Sequence, residues 1–280
     1  MDVLSLTDLY DLQLVVYIQV AFSALLIYDT LLNINQELEH IWASRWSIIK
    51  CLYLWTRYST FLDTAFLIAK HFDLALAPSC SRITNFDTIF AGLGIGFAEG
   101  ILMVRTYALY NRSRKLLFFF IFMWTCIIGV NVWPVVKWSD HPDDTSIPPP
   151  LPACNPESSN DIILVSYGTL LFSETIIVLL TLWKGFYTFR NGLYVRQSQL
   201  ITTFYRDGLF WYLAMQAVFI VNVVFQTTAR PSIKSIADTP MRILHSVLAC
   251  RLVVHVRCVA AKDQEQTFGS LGGTYPSTAI

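Results

Sequence analysis

The stretch LLFFFIFMWTCIIGVNVWPVV, residues 116–136, carries no charged side chain over its whole length. The hydrocarbon core of a bilayer is about 30 Å thick, and roughly 20 apolar helical residues cross it. A single run of this length and purity reads as a membrane-spanning helix, since a backbone in lipid must satisfy its own N–H and C=O groups within the segment. Composition extends the reading to the rest of the chain. Of 280 residues, 54% are hydrophobic and 14% charged, and the mean hydropathy is +0.49. Soluble domains carry about 25% charged residues. Lipid needs no charged coat, so the deficit fits a membrane solvent.

Working outward from 116–136, six further segments qualify as spans: 14–34, 47–68, 88–109, 162–183, 208–228 and 238–256. The second and seventh are the least apolar, because each contains charged residues. No internal repeat of the kind found in many transporters is visible. The first residues, MDVLSLTDLYD, are acidic and lack the basic flank of a cleavable signal peptide, so the first span is expected to be retained. The expected fold class is all-α: a polytopic seven-transmembrane-helix bundle, forming one domain over residues 1–259. Residues 260–280 are polar and rich in Gly, Ser and Thr, which predicts a disordered tail.

Orientation follows the Lys and Arg content of the short loops. With the N-terminus outside, the inner segments hold Arg45, Arg112, Arg114, Lys115, Lys184, Arg190, Arg196, Arg206, Arg257 and Lys262, against Arg82, Arg230 and Lys234 outside. Ten against three predicts an outer N-terminus and a cytosolic C-terminus; the plasma membrane is expected rather than an internal one. The balance of 20 basic and 20 acidic residues gives no field for nucleic acid. Cys80 and Cys154 are the two cysteines in outer loops and are the candidate disulfide. Cys258, beside Arg257 and Lys262 at the inner boundary, is a candidate lipidation site.

The first inner loop carries a distinctive pattern. YDTLLNINQELEHIWASRWSIIKCLYLWTRY, residues 28–58, contains a Tyr-Asp pair, a Glu-x-Glu before Ile-Trp, a Trp-Ser and a closing Arg-Tyr. It resembles the signature of a large fungal family of seven-span membrane proteins of unknown function, abundant in mushroom-forming basidiomycetes. VRTYALYNRSRK (104–115), FYRDGLFWYL (204–213) and RILHSVLACRLVVHVR (242–257) are similar to the same family. The resemblance implies a fungal polytopic protein and carries over no catalytic or ligand-binding residue. On the residues themselves, Glu37, Glu39 and His40 read as a solvated interfacial turn, where charges are cheap.

Ionisable groups within spans are functional-site candidates by default, because each costs about 2.5–3.5 kcal/mol to insert. They are Asp29, Arg57, Asp63, Glu99, Glu174, His245 and Arg251. Glu99 and Glu174 fall near mid-membrane, and Arg57 reaches a similar depth. The expectation is that these three share one site, with Arg57 between two carboxylates. Asp29 is the other natural partner for Arg57. Gly92, Gly96 and Gly100 recur every four residues on span three, which predicts close helix packing. Arg105 and Tyr107 at the inner end resemble the receptor switch Asp/Glu-Arg-Tyr, but Val104 stands where the acid would be.

Enzyme chemistry finds no foothold in the motifs. The five histidines include no His-x-x-x-His pair, and no Gly-x-Ser-x-Gly, Walker loop or Cys-x-x-Cys is present. Span seven has no lysine for a retinal Schiff base. Neither cofactor nor metal is expected. Three functions remain open. A receptor-like protein would bind an external ligand and engage a cytosolic signalling protein through Arg105, Tyr107, Arg190, Arg196 and Arg206. A transporter or channel would use Glu99, Glu174 and Arg57. A structural membrane protein would use its charges only to organise the bundle.

Overall fold

The apolar runs become helices, most of whose ends overshoot the predicted spans. The computed structural model describes residues 6–72, 80–139, 160–190 and 199–272. Among them stand seven long α-helices: α1 (Leu6–Glu37), α2 (Ile48–Phe72), α3 (Cys80–Leu109), α4 (Arg114–Ser139), α5 (Asn160–Arg190), α6 (Gln199–Thr228) and α7 (Asp238–Gly272). No strand occurs among the described residues. A π-helical turn, Leu38–Trp42, prolongs α1. The 3-10 turn Pro231–Ala237 leads into α7, with Pro231 at the position where a missing N–H costs nothing.

Each helix packs on its neighbours in chain order, and α7 closes the ring on α1. α3 also touches α5 and α7, and α7 also touches α2. Helices α3 and α7 thus run through the middle of the bundle. The α3–α4 reversal is tight, with Asn111 and Arg112 in the left-handed region at φ 53° and 57°. Asn accepts that conformation more readily than most residues.

The distribution of side chains inverts that of a soluble protein. Phe118 and Phe122 on α4, Phe172 and Trp183 on α5, and Phe210 on α6 are all about two-thirds exposed or more, whereas Arg57, Glu99, Glu174, Asn222 and His245 are 0–1% exposed. Water would reject such an apolar exterior, and lipid solvates it. Among the described residues six helical stretches are long and apolar enough to cross a membrane: Gln13–Trp42, Ile89–Leu109, Arg114–Asn131, Leu164–Tyr187, Leu209–Thr228 and Ile233–Lys262. The helix that falls short is α2. Its 25 residues rise about 37 Å, so its length suffices and its polarity sets it apart.

That polarity faces inward. Thr56, Arg57, Ser59, Thr60, Asp63 and Thr64 are all buried, while Trp55, Leu62 and Phe66 are exposed. The helix hydroxyls turn back onto their own backbone, as when Thr60 and Thr64 donate to the carbonyls of Thr56 and Thr60. The tail differs from expectation at its start, since α7 remains helical to Gly272. Residues 273–280 lie outside the described residues.

Candidate functional site

Two buried charge clusters are built where α1 and α2 meet α7. In the deeper cluster Asp29 on α1 sits between two guanidiniums. Arg57 Nη1 donates to Asp29 Oδ2 and Arg251 Nε to Asp29 Oδ1, both at 2.6 Å. Asn33 Nδ2, one turn on, adds a third donor at 3.0 Å. Glu37 joins from the last turn of α1, with Oε2 3.7 Å from Arg57 Nε and Oε1 accepting from the Tyr58 hydroxyl at 2.9 Å. Two carboxylates and two guanidiniums balance. Such a cluster survives burial because each charge has an opposite partner.

In the second cluster Arg242 on α7 reaches back to α2. Its Nε and Nη2 meet Asp63 Oδ2 at 2.8 and 2.7 Å, and Nη2 donates to Ser59 Oγ at 2.8 Å. Gly94 on α3 makes the room, since a Cβ there would run into the Arg242 guanidinium. Gly94 is thus the glycine whose smallness the packing needs. Gly92, by contrast, has nothing within 4 Å of a Cβ position, and Gly96 and Gly100 meet Trp124 and Leu52 only at ordinary distances.

The remainder of α7 is gripped in the same way. At its outer end by the predicted orientation, Asp238 Oδ1 accepts from Tyr167 at 2.8 Å, Asn222 at 3.1 Å and Gln226 at 2.9 Å. Ser246 donates to the Thr56 carbonyl at 2.9 Å. At the other end Arg257 Nη1 donates to the His40 carbonyl and to Ser44 Oγ, both at 2.7 Å. Lys50 Nζ meets the Trp42 and Ser44 carbonyls at 2.9 and 2.8 Å. Two cations therefore cover carbonyls that the end of the α1 helix leaves unpaired.

A third group stands apart. Glu99 on α3 and Glu174 on α5 are fully buried. Ser173 Oγ donates to Glu99 Oε1 at 2.9 Å, but Glu99 Oε2 and both Glu174 oxygens have no hydrogen-bond partner. His245 on α7 is equally buried, and neither ring nitrogen is bonded. Its ring packs edge-on against Phe219 at 5.3 Å.

The structure corrects two expectations. Arg57 does not stand between Glu99 and Glu174, because it is engaged by Asp29 and Glu37. Equal depth along the membrane normal says nothing of which way a residue faces around its helix. Nor is Glu37 solvated: it is 2% exposed, because α1 continues through the π turn instead of ending. Arg242, Ser59, Tyr58 and the Asp238 group were not singled out in the sequence. Arg242 opens span seven, where a charge reads as interfacial.

The other candidates scatter. The Arg105 guanidinium lies over the Tyr212 ring at 5.6 Å, and Tyr107 packs partly buried against the core. Arg190 is exposed at the end of α5. Arg196 and the side chain of Arg206 lie outside the described residues, as do Cys154 and the side chain of Cys80. Cys258 is a half-buried free thiol. Among the described residues no group of three or more His, Cys, Asp or Glu is placed to hold a metal.

An apolar exterior, membrane-length helices and an ion-paired interior define a multi-pass membrane protein. Residues 17–62 match the model of a family described as "Family of unknown function (DUF6533)". No curated protein and no solved structure matches the chain. The matched region is the α1–α2 hairpin from Tyr17 to Leu62. It therefore contains Asp29, Glu37, Lys50, Arg57, Tyr58 and Ser59, whereas Asp63 lies one residue beyond it. The cations that complete them, Arg242, Arg251 and Arg257, come from α7.

Proposed function

We propose that this chain is a receptor-like protein of the plasma membrane, crossing it seven times with an outer N-terminus and a cytosolic C-terminus. Helix α2 is the seventh span in this reading, its charges shielded from lipid by α1 and α7. One observation carries the receptor reading. Polar contacts hold α7 at five levels from Asp238 to Arg257, a rise of about 28 Å. That distance is close to the hydrocarbon thickness of about 30 Å. A helix held this way moves as a rod. An external ligand that displaced the Asp238 end would shift Arg257, the α1–α2 turn it holds, and the basic cytosolic loops beside them. A cytosolic signalling protein would read the shift. No catalysis is part of the proposal.

The test perturbs one end and reads the other. Asp238→Asn in the full chain, reconstituted in lipid nanodiscs, loosens the grip at the outer level. A membrane-impermeant thiol reagent then reports on Cys258, resolved by peptide mass spectrometry. Coupling along α7 predicts a several-fold change in the labelling rate of Cys258. An unchanged rate in a folded variant would refute transmission. Solute flux in vesicles would instead favour a transporter, whose case now rests on Glu99 and Glu174 without Arg57.

A further inference from the structure

Unlike the carboxylates of the two charge clusters, the Glu99–Glu174 pair has no cation partner among the described residues. From α5 comes the Ser173 hydroxyl. Helix α6 offers the buried apolar Met215 and Phe219, and α4 offers Met123 and Ile127. On α7 the buried titratable group at a similar level is His245, whose ring packs on Phe219. Arg242, one turn toward the outer end, is engaged by Asp63 and Ser59. On α2, Arg57 is engaged by Asp29. On α3 itself, Arg105 lies inward of Glu99, over Tyr212.

His245 shares the level of the pair. Arg242 and Gly94 mark a point of contact between α7 and α3, two helices that run in the same direction. His245 is three residues beyond that contact and Glu99 five. Their depths then differ by about 3 Å. Three titratable side chains from α3, α5 and α7 therefore lie fully buried with five bond-forming atoms unpaired. Buried polar atoms in native proteins are nearly always paired, and such exceptions point to function. Ser173, the neighbour of Glu174, bonds Glu99 directly, so the two carboxylates come from touching turns of α3 and α5, and with no counter-ion they do not both remain ionised in a dry core.

We propose that Glu99 and Glu174 form an internal proton-binding site at the centre of the bundle. A proton leaves water, an O–H bond forms on one carboxylate oxygen, and the charge of the pair falls from two negatives to one. The acid so formed can donate to the facing carboxylate, giving one of the unpaired oxygens a partner. A metal cation fits less well, because hard cations demand about six or more oxygens and the lining here is largely apolar. The proposal rests on the burial of the pair and not on the receptor reading.

Infrared spectroscopy of the full chain in lipid nanodiscs tests it, by following the carbonyl band of a buried, protonated carboxylic acid in light and heavy water. The expected band is present at neutral pH, disappears at alkaline pH, and is lost from the double variant Glu99→Gln/Glu174→Gln. Gln preserves shape, and the wild-type titration stands even if the double variant does not fold. Absence of the band at neutral pH overturns the proposal. So does a band that the double variant retains. A site filled instead by sodium or potassium would show no acid band and a thermal stability that rises with the salt, which also overturns it.

Discussion

Replacing Arg57 by leucine removes a cation that two buried carboxylates share. Asp29 keeps Arg251 at 2.6 Å and Asn33 at 3.0 Å, while Glu37 keeps only neutral partners, the hydroxyls of Tyr58 at 2.9 Å and of Tyr53. Glu37 is thus the group most nearly stranded. The side chains of Arg57, Asp29 and Glu37 are 1%, 2% and 3% exposed, so solvent screens little of the loss. Breaking a buried ion pair from one side costs about 3–5 kcal/mol, and that is the destabilisation expected of Arg57→Leu. The Arg251 side chain is 41% exposed and holds a single carboxylate. A half-solvated pair is worth less, about 1–2 kcal/mol between the exposed-pair and charged-hydrogen-bond limits. The double variant strands Asp29 as well, so its cost should exceed the sum of the two by about 0.5–3 kcal/mol. Unfolding in mixed micelles by titration with a denaturing detergent measures all three. The reasoning is refuted if Arg57→Leu is no more destabilising than Arg251→Leu, or if the two effects simply add.

Gly94→Ala should loosen the Arg242–Asp63 contact and lower the detergent midpoint, whereas Gly92→Ala and Gly129→Ala, with nothing within 4 Å of a Cβ, should leave it in place. Asp238→Ala removes the acceptor of three hydrogen bonds and should cost about 2–4 kcal/mol on the scale of roughly 1 kcal/mol per bond; a cost below that of one bond would show that water replaces the carboxylate there. The sequon Asn111-Arg112-Ser113 faces the cytosol in the proposed topology, so Asn111→Gln should leave gel mobility unchanged before and after glycosidase treatment. For Cys80 and Cys154, non-reducing peptide mapping of material from the secretory pathway should recover one linked peptide, and free alkylation of both would remove the bridge.

The helices were legible because their signal is local. Every span read from the sequence lies in or overlaps one long helix, and only the ends moved, since lipid-length apolar cores continue as helix beyond the hydrocarbon. The partnerships were legible only in part. Asp29 and Arg57 stood out as charges at membrane depth, but depth along a helix is one coordinate and facing is another. Arg57 turns toward α1, while Glu99 turns toward Ser173 on α5. Tyr53, Arg57 and Thr60, spaced three or four apart and all buried, mark the inward face of α2 and were available as a signal. Arg242 was hidden by its place at the start of a span, and Glu37 by a π turn that no residue pattern announced.

The division of the charge clusters between α1–α2 and α7 has a consequence for how the molecule is made. In the seven-span arrangement, the first two helices bring to the two clusters three buried carboxylates, Asp29, Glu37 and Asp63, against the single guanidinium of Arg57. Lys50 is occupied with backbone carbonyls. Within these clusters the hairpin therefore emerges from synthesis two negative charges out of balance. The two missing guanidiniums, Arg242 and Arg251, follow 179 residues after Asp63 and 222 after Asp29. Through the insertion of four intervening helices, the nascent chain holds an unneutralised hairpin that cannot settle in lipid and must stay at the translocation machinery or take up protons. Electroneutrality arrives with the last helix. A chain cut short before α7 is then marked as incomplete by its own charge, available to any surveillance system that recognises bare carboxylates within the bilayer.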